Sequence, residues 1–291
     1  MSSPRFPLGC GLGFRRELIP ALQQGVPEVV DFFELAPENW AGMGGRSARE
    51  LRAFTERYPF ACHGLSLSLG GPGPLDEGLL RAIRRFMDEH GIALYTEHLS
   101  WCADARHLHE LLPIPLTEAA ARWTAERIAR AQDLLGRRIG IENPSYYFVP
   151  PGAEMAEADF IREVLVRADC SLHLDVNNLF VNGRNFDFDP VAFLHALPLE
   201  RTCYIHVAGH FVEPDGLVID THGAAVIDPV WSLLEIAYAR IGAVVPTCLE
   251  RDFNIPALPV LADEMARIAA LQAAARAGAL KNVGQAQGLA A

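Results

Sequence analysis

Short apolar runs alternate with segments of helical period along nearly the whole chain. The runs fall at residues 8–14, 29–35, 60–67, 92–99, 138–142, 170–176, 202–208 and 243–250. Between them lie stripes spaced for one helix face. Leu79, Leu80, Ile83, Phe86 and Met87 form one; Ile128, Ala131, Leu134 and Leu135 form another; Leu261, Met265, Ile268 and Leu271 form the last. Punctuation agrees with this division. Thr117 is placed to cap a helix that Gly136 ends, and Asp189-Pro190 and Asp228-Pro229 each open one. Eight strands, each followed by a helix, predict an α/β fold of the (β/α)8 type, a closed parallel barrel. The competing architecture is a doubly wound open sheet. No linker or break in composition interrupts the series, so the expectation is one domain over residues 1–278 and a flexible Gly/Gln/Ala-rich tail over 279–291.

Composition narrows the function. Of 291 residues half are hydrophobic and 21% charged, enough to bury a large core and too apolar for global disorder. The net charge of -11 argues against broad binding to a phosphate backbone, so no nucleic acid partner is expected. No apolar run nears the ~18 residues of a membrane span, and the first residues lack a signal-peptide pattern. Six cysteines (Cys10, Cys62, Cys102, Cys170, Cys203, Cys248) are scattered without a C-x-x-C pair, which reads as reduced thiols of a cytoplasmic protein.

Candidate chemistry lies at the carboxyl ends of the strands, where a barrel of this kind builds its active site. The third strand carries His63, the fourth ends at Glu97-His98 and the fifth at Glu142-Asn143. The sixth is read as running through His173, Asp175, Asn177 and Asn178. The seventh carries His206 and then His210, the next loop holds Asp220 and His222, and the eighth ends at Glu250. Taken singly, each has a plain explanation: a hydrogen-bonded core histidine, a loop residue, an ion pair of Glu250 with Arg251. Six successive strands supplying such a residue do not. Carboxylates gathered at one rim repel one another unless cations lie between them, and imidazoles complete the coordination. The set predicts a multinuclear metal site of imidazole and carboxylate, suited to iron, zinc or manganese and not to an iron–sulfur cluster.

Other motifs are set aside. Gly9-Cys10-Gly11-Leu12-Gly13 lacks the spacing of a nucleotide loop and reads as close backbone packing. His107-Leu108-His109-Glu110 is placed in a surface loop, and Gly70 to Pro74 in a turn-rich loop over the barrel mouth. No serine or cysteine nucleophile arrangement stands out.

Seven motifs carry a family resemblance. Glu34-Leu35-Ala36-Pro37-Glu38-Asn39-Trp40, His63-Gly64-Leu65-Ser66-Leu67-Ser68, Glu97-His98-Leu99-Ser100-Trp101, Ile141-Glu142-Asn143, Leu174-Asp175-Val176-Asn177-Asn178, His206-Val207-Ala208-Gly209-His210 and Asp220-Thr221-His222-Gly223 resemble the multinuclear non-heme iron-dependent oxidases, the group that includes the methanobactin-biosynthesis oxidase. The likeness runs from about Leu8 to Phe253. It implies a xylose-isomerase-like barrel, two or three irons with O2 as co-substrate, and a ribosomally made precursor peptide modified at cysteine. It also implies a partner protein that presents the peptide. Through the wider superfamily, the trinuclear zinc site of endonuclease IV supplies a ligand template. On it His63, His98 and Glu142 correspond to the first metal, and Glu142 (bridging), Asp175, His206 and Glu250 to the second. Asp220 and His222 correspond to the third, with Asn178 where the endonuclease has a histidine. That departure makes the third site the weakest. His210 and Asn177 are the candidates for catalytic, oxygen-facing or supporting roles, and His173 for a supporting one. Three other readings stay open: a zinc phosphodiesterase of the DNA-repair type, a metal-dependent sugar isomerase or epimerase, and a non-catalytic binding module.

Overall fold

The computed structural model describes residues 6–104 and 107–280, without the side chains of His107 and His109. Eight parallel strands close into a barrel with the helices around them: β1 (Cys10–Gly13), β2 (Phe32–Leu35), β3 (Phe60–Gly64), β4 (Leu94–His98), β7 (Gly140–Glu142), β8 (Ser171–Asp175), β9 (Thr202–Val207) and β12 (Thr247–Leu249). Neighbours run β1-β12-β9-β8-β7-β4-β3-β2. The eight strands are those the hydrophobic runs mark, trimmed at their ends. This is the (β/α)8 fold, and the open sheet is excluded.

Two features depart from the expectation. Short antiparallel hairpins stand outside the barrel: β5 (Trp101–Ala103) with β6 (His107–Leu112), and β10 (Phe211–Val212) with β11 (Val218–Ile219). The 107–110 segment is therefore strand and not loop. Strands of two or three residues, as β5, β10 and β11 are, are too short to leave a period in the sequence. The sixth barrel strand also stops earlier than its run suggests. Asp175 ends it, and its Oδ1 accepts from the Asn178 backbone N–H at 2.7 Å, which caps a new helix. Asn177 and Asn178 thus lie on the first turn of that helix and not on the strand.

Contacts group the chain into two compact units, one around Phe33–Leu174 and the other around Pro7–Phe32 with Asp175 onward. The first holds β2, β3, β4, β7, the β5–β6 hairpin and helices α2 (Gly45–Thr55), α3 (Glu77–His90), α4 (Glu118–Leu135) and α5 (Glu157–Ala168). Its helices bury the faces the sequence marks: Leu80, Ile83, Phe86 and Met87 on α3, Ile128, Ala131 and Leu135 on α4. Thr117 Oγ1 caps α4 by accepting from Ala120 N–H, and Gly136 ends it in a left-handed conformation. The second unit holds β1, β9, β12, the β10–β11 hairpin and helices α1 (Ile19–Gln24), α6 (Val176–Asn185), α7 (Pro190–Ala196), α8 (Asp228–Ile241) and α9 (Leu258–Arg276). In β1 a methyl on Gly11 would meet the Phe32 ring at 2.1 Å, so the glycine-rich run is close packing and not a nucleotide loop. Of the tail, Ala279 continues the hydrogen bonding of the last helix and Leu280 is buried, while 281–291 lie outside the described residues. All six cysteines are free thiols. Among the described residues no helix is long and apolar enough to cross a membrane.

Candidate metal centre

Parallel pairing aligns the residues of the first cluster. In register, His98 of β4 stands opposite Glu142 of β7, and Glu142 opposite His173 of β8. His63 comes from the end of β3, next to β4. Their side chains converge. His63 Nε2 lies 3.1 Å from Glu142 Oε2, His98 Nε2 lies 3.2 Å from the same oxygen, and the two Nε2 atoms are 3.1 Å apart. Donor atoms 2.0–2.2 Å from one ion stand about 3.0 Å apart at right angles and about 3.4 Å apart at tetrahedral angles, so this triangle has the size of one ion's ligand face.

The far sides of both rings are tied down. His98 Nδ1–H donates to Gly64 O at 3.0 Å, which fixes the tautomer and leaves Nε2 as a lone pair. His63 Nδ1 meets Thr96 Oγ1 at 2.7 Å. Supporting contacts of this kind are what histidine ligands of metals need. Gly64 is itself required. A Cβ there would lie 2.0 Å from Tyr95 Oη and 2.3 Å from Glu97 Oε2, two atoms that bond each other at 2.8 Å. His173 sits behind the triangle, its ring edge-on to His63 at 5.2 Å and its Nε2 3.9 Å from Glu142 Oε1, beyond hydrogen-bonding reach.

Next to His98 opens a cavity of about 440 Å³, walled by Glu38, Leu65, Ser66 and residues of the β5–β6 hairpin that include Cys102 and Leu111. Burial, with Glu97 nearby, pushes the Glu38 carboxyl up to about 7. Burial also pushes the Cys102 thiol up to about 11 and the Cys62 thiol well above its usual range. Burial thus favours the protonated form of both thiols.

The second unit gathers the rest. One oxygen of Asp175, a ring nitrogen of His206 and one oxygen of Glu250 lie within 4.8 Å of one another. His206 Nδ1 is 3.0 Å from Glu250 Oε2. Glu250 reaches this position because its N–H still bonds to Val207 O as β12 ends. Arg251, its neighbour, pairs with Glu264 at 2.6 Å instead, so Glu250 is not half of a structural pair with Arg251. His222 Nε2 lies 2.8 Å from Asp220 Oδ1, and His222 Nδ1 lies 3.6 Å from Glu250 Oε2. Burial lowers the His222 pKa most strongly, but Asp220, Glu250 and a hydrogen bond to Asp252 together raise it well above its ordinary value.

Asn177 and His210 line up behind Asp220. A carboxylate cannot donate, so the 2.8 Å contact to Asp220 Oδ1 must come from the Asn177 Nδ2 amide. Asn177 Oδ1 then accepts from His210 Nδ1–H at 2.8 Å. His210 stacks on Phe180 at 5.0 Å, and burial lowers its pKa. Asn178 is buried on the same helix turn, its N–H held by Asp175.

The sequence therefore names His63, His98 and Glu142, which one unit brings together, and Asp175, His206, Asp220, His222 and Glu250, which the other brings together. It misses Thr96 and Gly64, whose role is a contact across neighbouring strands. It also misses Asp252, although an acid two residues past Glu250 at a strand end was a signal to follow.

Fold and donor set define a (β/α)8 barrel with candidate metal-binding clusters. Residues 9–273 match the family described as RiPP precursor modification enzyme MbnB/TglH/ChrH, and the chain belongs to that family. It is 62% identical to a UPF0276 protein of Nitrosospira multiformis over 90% of this chain and 93% of that one. It is 52% identical to a UPF0276 protein of Alcanivorax borkumensis over 94% of each. Among solved structures, D-psicose 3-epimerase of Clostridium cellulolyticum shares the fold at a TM-score of 0.57 and 12% identity, over 92% of this chain and 98% of that one. Endonuclease IV of Thermus thermophilus does so at 0.57 and 16%, over 89% and 98%. A xylose isomerase-like barrel protein of Mycobacterium smegmatis, in complex with magnesium, does so at 0.58 and 14%, over 89% and 88%.

Proposed function

We propose that this chain is an iron-dependent oxidase that uses O2 to modify a ribosomally made precursor peptide at cysteine. In this reading the two units act as one domain over residues 1–278, in the cytoplasm, with a partner protein that delivers the peptide. The observation that carries the metal is the His63–His98–Glu142 triangle, in which two imidazoles and a carboxylate face one point at 3.1–3.2 Å. These three would hold the first ion. Asp175, His206 and Glu250 would hold the second. Asp220 and His222, with Asn178 beside them, would hold the third. Iron, when bound, supplies the one-electron chemistry with O2 that zinc lacks.

The chain's own residues supply the rest. His98 forms a wall of the cavity through which a peptide side chain reaches the centre. Leu65 and Leu111 exclude water there, and the thiols of Cys62 and Cys102, kept protonated, do not compete with the substrate's thiolate. Asn177 and His210 hold Asp220 in place and present His210 Nε2 as an acceptor. The family description, which names RiPP precursor modification, supports the peptide substrate.

The test is anaerobic purification with metal analysis and Mössbauer spectroscopy, followed by O2 uptake with a short cysteine-containing precursor peptide encoded beside the gene. Uptake that needs both iron and peptide supports the reading. Full activity of a zinc-only preparation overturns the oxidase. Cleavage of an abasic-site duplex by that preparation would favour the hydrolase reading, which the resemblance to endonuclease IV allows and the net charge of -11 opposes.

A further inference from the structure

The loop that carries His222 is held from one side by a second acid. His222 has a left-handed backbone, φ 50°, which a non-glycine residue keeps only when its surroundings enforce it. The enforcing contacts come from the segment after β12. Asp252 N–H donates to His222 O at 2.9 Å, and Asn254 Nδ2 donates to Gly223 O at 3.2 Å. The side chain of Asp252 adds a third contact, Oδ2 to His222 Nδ1 at 3.1 Å. Its other oxygen, Oδ1, accepts from Arg15 Nε at 2.6 Å, and an Arg15 terminal nitrogen also pairs with that oxygen. Arg15 lies two residues past β1, and its own N–H bonds to Gly13 O.

We propose that Arg15 and Asp252 form a positioning relay for His222: Arg15 fixes the Asp252 carboxylate, and Asp252 Oδ2 accepts the hydrogen bond from His222 Nδ1–H. The ring is thereby held with Nε2 beside Asp220 Oδ1, the pair that would bind the third ion. This rests on the reading of Asp220 and His222 as a metal pair. The competing role for Asp252 is direct ligation, since Asp252, Glu250 and His222 also offer three donor atoms within 4.8 Å of one another. The geometry favours positioning. Both Asp252 oxygens already have partners, and a guanidinium at 2.6 Å withdraws charge from the oxygen it holds. Arrangements of carboxylate, histidine and metal are general, and losing the carboxylate costs about 10–100-fold in metal affinity.

The experiment titrates full-length protein with Fe(II) under anaerobic conditions against a competing chelator and counts ions per chain. Asp252→Ala, Asp252→Asn, Arg15→Met and His222→Ala are compared with the parent, and circular dichroism confirms that each is folded. His222→Ala should lose one ion per chain. Asp252→Ala should keep the parental stoichiometry at saturation and weaken the last ion by about 10–100-fold. Asp252→Asn, whose amide oxygen still accepts from Nδ1–H, should recover most of that loss, and Arg15→Met should fall between. If Asp252→Asn and Asp252→Ala each lose a whole ion, as His222→Ala does, Asp252 is a ligand and the relay is overturned. If Asp252→Ala binds every ion with parental affinity, the contact only shapes the loop and the relay is again overturned. Parental stoichiometry in His222→Ala would overturn the metal pair itself, and the relay with it.

Discussion

At the scale of single residues, the site depends on which ring nitrogen faces inward. His98 Nδ1 is committed to Gly64 O and His63 Nδ1 to Thr96 Oγ1. Thr96→Val keeps the shape and removes the hydroxyl. It should weaken the first ion by about 10–100-fold with little change in stability, read by chelator competition. Glu142→Ala removes a donor and not a support, and should cost at least one whole ion per chain by elemental analysis. The converging acids and imidazoles were legible in the sequence because such a residue inside an apolar run stands out. Their supports were not, since a threonine in a strand and a glycine at a strand end are unremarkable letters. Asp252 was missed for a related reason. Its partner His222 lies thirty residues away in sequence, and only the folded loop brings them together.

At the scale of elements, the loop after β3 is clamped by one helix. Arg127 of α4 donates to Leu69 O at 2.8 Å, Gly73 O at 2.7 Å and Ser68 O at 3.0 Å. One turn earlier, Trp123 Nε1 donates to Gly71 O at 2.9 Å. The glycine-rich stretch that reads as a simple connection is thus pinned along its length. Arg127→Met leaves three carbonyls without that partner. Ser68 O keeps its bond from Gly71 N–H and Gly73 O is only part-buried, so the main cost falls on Leu69 O; at about 1–3 kcal/mol for a buried group left unsatisfied, the fold should lose about that much, seen as a lower thermal midpoint. The barrel strands and their helices were legible because their periods are long. The two hairpins and the capped start of α6 were not, because β5, β10 and β11, of two or three residues, carry no period and Asp175 reads equally well as the end of a strand or the cap of a helix.

At the scale of the whole molecule, pH acts through Glu157. Burial pushes its carboxyl up to about 7, although the hydrogen bond from Tyr146 Oη at 2.6 Å lowers it. A carboxyl that titrates higher in the fold than in the unfolded chain binds more protons when folded. Stability from this residue is therefore fully present below about 4.5 and is lost as pH rises through about 7. Glu157→Gln should flatten that dependence, removing a slope on the order of 1–3 kcal/mol between these limits in urea melts. Metal acts on stability as well, because ions bound to the native state and not to the unfolded chain stabilise it by mass action. A chelator should lower the thermal midpoint of the loaded protein and leave that of the metal-free protein unchanged.

The tie between His98 Nδ1 and the Gly64 carbonyl reaches beyond the ring it holds. β3 and β4 set it by lying side by side, so the ring's orientation follows from strand pairing. Occupancy of the proposed site would then be a contest of supply: nitrogen–oxygen nests of this type prefer later first-row ions over iron. Protein made in zinc-rich broth will emerge zinc-filled, and its cargo will record the diet of the cell that made it.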